Sequence, residues 1–167
     1  NITMGYPLQN VPTSQLISTI FQLFITQDTL QRTAVNEFYH KDVTRLFKNS
    51  VIFQLVGKEA QEVLVAIQEI ISKENTSFID LPTISSYLAP LEEKSSTVIL
   101  AIFKPIISVN DFISRILNLL ENAKDHVSVL EKEYLYRFYN AFAQLLNLNN
   151  SKNYFQNIKT IYQFYRQ

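Results

Sequence analysis

Two glycines in 167 residues, Gly5 and Gly57, and only five prolines leave little turn chemistry for a succession of hairpins and much room for helices. Apolar residues recur at helical spacing through nearly the whole chain, so the expected fold is all-α. The expectation is a compact bundle of about six to eight helices, with residues 1–167 as a single helical domain. Its composition, 47% hydrophobic and 18% charged, is too apolar for a disordered segment. A chain this long buries roughly 70% of the surface that its unfolded form exposes, so no metal or disulfide is needed to hold it. The first residue is Asn1 rather than Met, and the last stretch, QFYRQ, stops within an amphipathic pattern. A domain excised from a longer protein is expected.

Helix boundaries follow from capping residues. Thr13 or Ser14 is placed to cap a first helix carrying Leu16, Ile17, Ile20, Phe21, Leu23 and Phe24. Asp28 with Gln31 reads as a capping box that opens a second helix through Ala34, Val35, Phe38 and Tyr39, continuing past Asp42 to Val43, Leu46 and Phe47. Gly57 ends the run SVIFQLVG. Beyond it, Ala60, Val63, Leu64, Ile67, Ile70 and Ile71 share one side of a helix whose other side carries Glu59, Glu62, Glu69 and Lys73. The stretch NTSFIDLPTISSYLAP reads as a linker with a short helix, started by Pro82 and stopped or kinked by Pro90. Residues 91–104 read as a helix, with a strand at 97–103 as the alternative. Ser108 with Asp111 caps a helix bearing Phe112, Ile116, Leu119, Leu120 and Ala123.

Ser128 and Glu131 form the capping box of the most aromatic helix, EKEYLYRFYNAFAQLLNL. Glu133, Arg137, Asn140, Gln144 and Asn147 draw one narrow polar stripe along it. Tyr134, Leu135, Phe138, Phe142 and Leu145 cover one flank, and Tyr136, Tyr139, Ala143 and Leu146 the other. This pattern predicts burial against neighbours on two sides, with the rings serving as core.

Motifs for chemistry are scarce. With no cysteine, thiol nucleophiles, disulfides and zinc–thiolate sites are all excluded. EFYH, Glu37 to His40, has the Glu-x-x-His spacing of a di-iron site, but His126 has no acid three residues before it to make a second motif. No Gly-x-Ser-x-Gly elbow and no Gly-rich phosphate loop occurs. No metal, no cofactor and no catalytic residue is therefore expected. Sequons occur at Asn1, Asn75 and Asn149, a short pattern that recurs by chance in an Asn-rich chain. Residues 1–27 carry no charge, yet they lack the basic start of a signal peptide and are too interrupted to span a bilayer. A soluble, intracellular (cytoplasmic) domain is expected, with peripheral contact to a membrane as a further option.

Net charge is zero, but it is unevenly spread. Residues 1–133 hold all fifteen acids against eleven Lys and Arg, and the last 34 hold four cations and no acid. Lys152, Lys159 and Arg166 recur every seven residues, with Gln156 and Gln163 beside them. They are expected on one side of the final helix, as a ridge suited to an acidic protein partner or anionic lipid headgroups; the plainer reading is a solvated face. A zero net charge and the lack of a known motif argue against nucleic acid.

Three segments in order, TRLFKNS (44–50), VGKEAQEVL (56–64) and YRFYNAF (136–142), resemble segments of the Ras-type GTPase-activating helical domain. The resemblance implies Arg32 or Arg45 as an arginine-finger candidate acting on a bound small GTPase, and Arg137 as the structural arginine of the third segment. This chain departs from the pattern in a shorter spacing after LFKNS, in lacking the usual proline of the third segment, and in ending before the family's last helices. The function expected from the sequence is a non-catalytic helical module that binds a protein partner, through Lys152, Lys159, Arg166 and Gln163. The alternatives are a small-GTPase regulator and a domain that binds an anion or phospholipid headgroup.

Overall fold

The computed structural model describes residues 8–166. They form α1 (Pro12–Thr29), β1 (Glu37–Tyr39), α2 (His40–Lys48), α3 (Ser50–Val56), α4 (Gln61–Glu74), β2 (Phe78–Asp80), α5 (Leu81–Leu88), α6 (Glu93–Phe103), α7 (Val109–Ala123), α8 (Val129–Lys152) and α9 (Ile158–Tyr165). The described residues are 75% helical, a compact mostly helical fold with one small sheet. Their nine α-helices exceed the expected range by one, because Asn49 closes α2 and opens α3. Its side chain accepts from Val51 N at 2.9 Å.

Helix α1 is the centre of the fold. It contacts α2, α3, α8, α9 and β1, and Leu16, Ile17, Ile20, Phe21, Leu23 and Phe24 are all buried. Thr13, Ser14, Thr19 and Gln27 are buried as well. A helix enclosed on so many sides has few positions where a charge would stay hydrated, which accounts for the lack of charge over residues 12–27. The expected cap at Thr13 or Ser14 is corrected: Val11 occupies the cap position, and Pro12 the first turn. Val11 has no capping side chain, so the free donor Thr13 N is satisfied from far along the chain, by Glu131 Oε1 at 3.1 Å. The capping box at Ser128 is therefore only half made. Ser128 Oγ accepts from Glu131 N at 3.2 Å, but the Glu131 carboxylate turns to α1.

The second expected helix is also corrected. Asp28 lies in the last turn of α1; residues 30–36 form turns, with Gln31 and Asn36 at positive φ, and Val35 is exposed. Residues 37–39 form a strand instead. It pairs antiparallel with β2 in the register Glu37 with Asp80, Phe38 with Ile79 and Tyr39 with Phe78. Phe38 drives this segment inward, where its ring meets Phe24 at 5.4 Å and Phe103 at 5.3 Å, both edge-on.

Elsewhere local signals fix the elements. Gly57 adopts φ +79° and separates α3 from α4, which buries Leu64, Ile67 and Ile71 but leaves Ile70 exposed. Asp80 caps α5 by accepting from Thr83 N at 2.9 Å, with Pro82 in the first turn. Residues 93–103 are helical, not a strand. Arg115, on α7, donates to the carbonyls of Ile102 and Pro105 and so satisfies the end of α6. On α8, Leu135, Phe142 and Leu145 are buried while Phe138 and Tyr139 are half-buried. Its second flank is less covered than expected, since Tyr136 is 67% exposed. The rings of α8 nonetheless belong chiefly to the core, with Phe142 reaching Phe21 at 6.3 Å and Tyr165 at 5.7 Å.

Candidate functional site: a basic ridge between two grooves

Helix α2, HKDVTRLFK, is sharply two-faced. Asp42, Val43, Leu46 and Phe47 are buried, while Lys41, Arg45 and Lys48 are exposed at spacings of four and three, one above another along the helix. Asn49, which ends α2, donates from Nδ2 to Pro12 O at 3.0 Å and thereby fixes this ridge against the start of α1.

A groove opens on each side of the ridge. The first, about 1110 Å³, lies between α1, α2 and α9. Its α1 wall is neutral and polar, with Gln15, Ser18, Thr19 and Gln22, and its cations are Arg45, Lys48 and Arg166. No acid lines it among the described residues. The second, about 670 Å³, lies between α2 and α4 and takes Lys41, Arg45 and Lys48 as one wall, with Glu69 among the residues facing them.

Helix α9 forms the far wall of the first groove and is held there by the rings of Tyr162 and Tyr165 packed on Phe21, with polar contacts beside them. Ile161 is buried; the Tyr165 hydroxyl lies 2.8 Å from Ser14 Oγ, and Gln22 Nε2 donates to the Tyr162 hydroxyl at 3.2 Å. Burial raises the Tyr165 phenol above its ordinary value, so it stays protonated and able to donate. Arg166 follows the helix with its guanidinium 5.6 Å from the Tyr162 ring.

Asp42 sits beneath the ridge. Its side chain is 6% exposed, Oδ1 accepts from Arg45 Nη1 at 3.3 Å, and among the described residues no group is within hydrogen-bond distance and angle of Oδ2. Desolvation raises its pKa, opposed by the Thr26 side chain and by the Arg45 and His40 charges.

The structure separates several residues that the sequence grouped. Lys152 closes α8; Asn153 then turns left-handed at φ 49°, and Asn157 caps a new helix. The heptad spacing of Lys152, Lys159 and Arg166 therefore does not run along one helix, and no continuous C-terminal ridge exists. Lys152 lies near the Tyr154 ring, Lys159 pairs with Asp28 at 2.9 Å, and Gln163 is exposed on α9. Arg166 alone of the four lines the first groove, where it meets Arg45, which the sequence had singled out on different grounds.

Arg32 stands in the turn before β1, pairs with Glu37 at 3.3 Å and stacks over Phe78 at 4.1 Å. Arg137 is exposed and pairs with Glu133 at 2.8 Å. Glu37 and His40 belong to a strand and a helix respectively, so EFYH does not place them on one helical face. Among the described residues, no three His, Cys, Asp or Glu side chains cluster as metal ligands would, and no helix is long and apolar enough to cross a membrane. The sequon at Asn75 is exposed, whereas Asn149 is buried and bonded to Asn110 and to Phe155 N; Asn1 lies outside the described residues.

The α2 ridge escaped the sequence reading although its signal was present. Lys41, Arg45 and Lys48 stand four and three residues apart, a spacing that puts them on one face of a helix. Comparison with known proteins adds no lead: no family model, curated protein or solved structure matches the chain.

Proposed function

We propose that this domain is a non-catalytic interaction module that binds an acidic protein partner through the α2 ridge and the grooves beside it. The observation that carries this reading is three exposed cations in line on one helix, each bordering a groove. Such a surface steers and orients an acidic partner more than it adds raw affinity. A recess also supplies shape, which a flat charged face would not.

The test uses poly-L-glutamate as a stand-in for the partner. Binding should weaken steeply between about 0.1 and 1 M salt, as the Debye length falls from about 10 Å to about 3 Å. Changing Lys41 and Lys48 to Glu and Arg45 to Gln should abolish it with little change in Tm. Changing Lys152 and Lys159 to Glu should matter far less. Binding that ignores both salt and the α2 changes rejects the reading, and stronger binding to phosphatidylserine vesicles than to poly-L-glutamate moves the function to anionic lipid headgroups.

A second reading, regulation of a small GTPase, has one observation in its favour. Arg45 is exposed at a groove, where a charge-stabilising arginine could reach a bound nucleotide. GTP turnover by a panel of small GTPases decides it. Acceleration that Arg45→Ala removes supports this reading; unchanged turnover rejects it.

A further inference from the structure

We infer that the groove between α1, α2 and α9 receives a phosphorylated side chain of the partner, an inference that rests on the acidic-partner reading above. Three cations line it, Arg45 and Lys48 from α2 and Arg166 at the end of α9, and they are poorly compensated. Among the described residues, Lys48 and Arg166 make no ion pair, and Arg45 meets Asp42 through Nη1 alone. A single carboxylate leaves most of this charge unanswered. A phosphate monoester brings a charge of about −1.5 to −2 and three acceptor oxygens, which suit two guanidinium groups and an ammonium.

The α1 wall suits the same chemistry. Gln15 and Ser18 offer neutral donors, as does Gln22 through the amide hydrogen left over from its bond to Tyr162, and no carboxylate among the described residues lines the groove. Recognition of phosphorylated segments by arginine clusters is an established mode of peptide binding. At about 1110 Å³ the groove exceeds the roughly 300–1,000 Å³ of small-molecule pockets, so it has room for a length of chain around the phosphate. Its cations border a concave recess of mixed lining, the polar wall of α1 beside Leu8, Phe138 and the rings of Tyr162 and Tyr165. A lipid surface is met by an apolar helix face that sinks into it, which is a different arrangement.

Three immobilised peptide libraries with identical random flanks, differing only in a central phosphoserine, glutamate or serine, test the inference on the full chain. Retention on phosphoserine should exceed that on glutamate and serine by about tenfold or more. Arg166→Gln should remove that preference without moving Tm, and Lys132→Gln, a cation outside the groove, should leave it intact. Equal retention on phosphoserine and glutamate overturns the inference while leaving the acidic-partner reading standing. Retention on none of the three overturns both. Co-sedimentation with phosphatidylcholine vesicles containing phosphatidylinositol bisphosphate, in the absence of peptide retention, assigns the groove to lipid and also overturns both.

Discussion

Phe142→Ala is the substitution that most directly probes how the core holds the groove together. The ring is 1% exposed and lies 6.3 Å from Phe21 and 5.7 Å from Tyr165, so it joins α8 to the central helix and to α9. Truncating a buried Phe costs about 3–5 kcal/mol, the upper part applying where the surroundings cannot collapse into the cavity. Here the neighbours are themselves fixed. Phe21 also packs against Phe112 at 5.0 Å, and Tyr165 is tied to Ser14, so a loss of about 4 kcal/mol is expected. Phe138 is only half-buried, and its removal should cost about 1–2 kcal/mol. Asn140, on the polar stripe of α8 and only half-buried, should tolerate Ala within about 0.5 kcal/mol. Urea unfolding followed by far-UV circular dichroism gives all three, with stability read from the midpoint at constant slope. A Phe142→Ala loss below about 1 kcal/mol, level with Asn140→Ala, would refute the packing argument.

Two buffers of different pH separate a pair of aspartates whose shifts have opposite sign. Asp80 has its pKa lowered by the Thr83 hydrogen bonds, so its contribution is present above the unfolded value of 3.8 and is lost as pH falls through the lower folded value. Asp80→Ala should therefore cost about 1 kcal/mol at neutral pH through the lost cap, and less in acid; an undiminished cost at low pH would contradict this. Asp42 has its pKa raised by burial, so its ionised form opposes folding above the raised value, and this penalty disappears as pH falls to 3.8 and below. Asp42→Asn should be at least as stable as wild type at neutral pH, with any advantage vanishing in acid. A variant less stable at neutral pH would show that the Arg45 pair outweighs desolvation.

How far the sequence could be read depended on how local each signal was. Ser108, Ser128 and Pro82 announced their helices correctly because a cap is decided within one turn. Asp28 and Gln31 had the same local form, yet residues 30–39 turned and extended instead, since Phe38 gains a place against Phe24 and Phe103 by pairing with Ile79, far along the chain. Three-residue strands show no period to detect. The C-terminal ridge failed for a different reason: its heptad spacing assumed an unbroken helix, and the Asn-rich run NLNNSKNYFQN held the left-handed stop at Asn153 and the new cap at Asn157. The α2 ridge was legible as spacing. The first groove was not, because its walls come from residues near 15–22, 45–49 and 162–166, which only the packing of α9 on α1 brings together.

Amide chemical-shift mapping on the isotope-labelled chain, titrated with poly-L-glutamate, tests the binding surface residue by residue. Shifts should concentrate at Lys41, Arg45 and Lys48 on α2, at Gln15, Ser18 and Gln22 on α1, and at Tyr162 and Arg166, with Tyr136 and Arg137 on α8 unmoved. Saturable shifts confined to α8, or to the segment around Lys152 and Tyr154, with the α2 ridge unaffected, would contradict the assignment of the site.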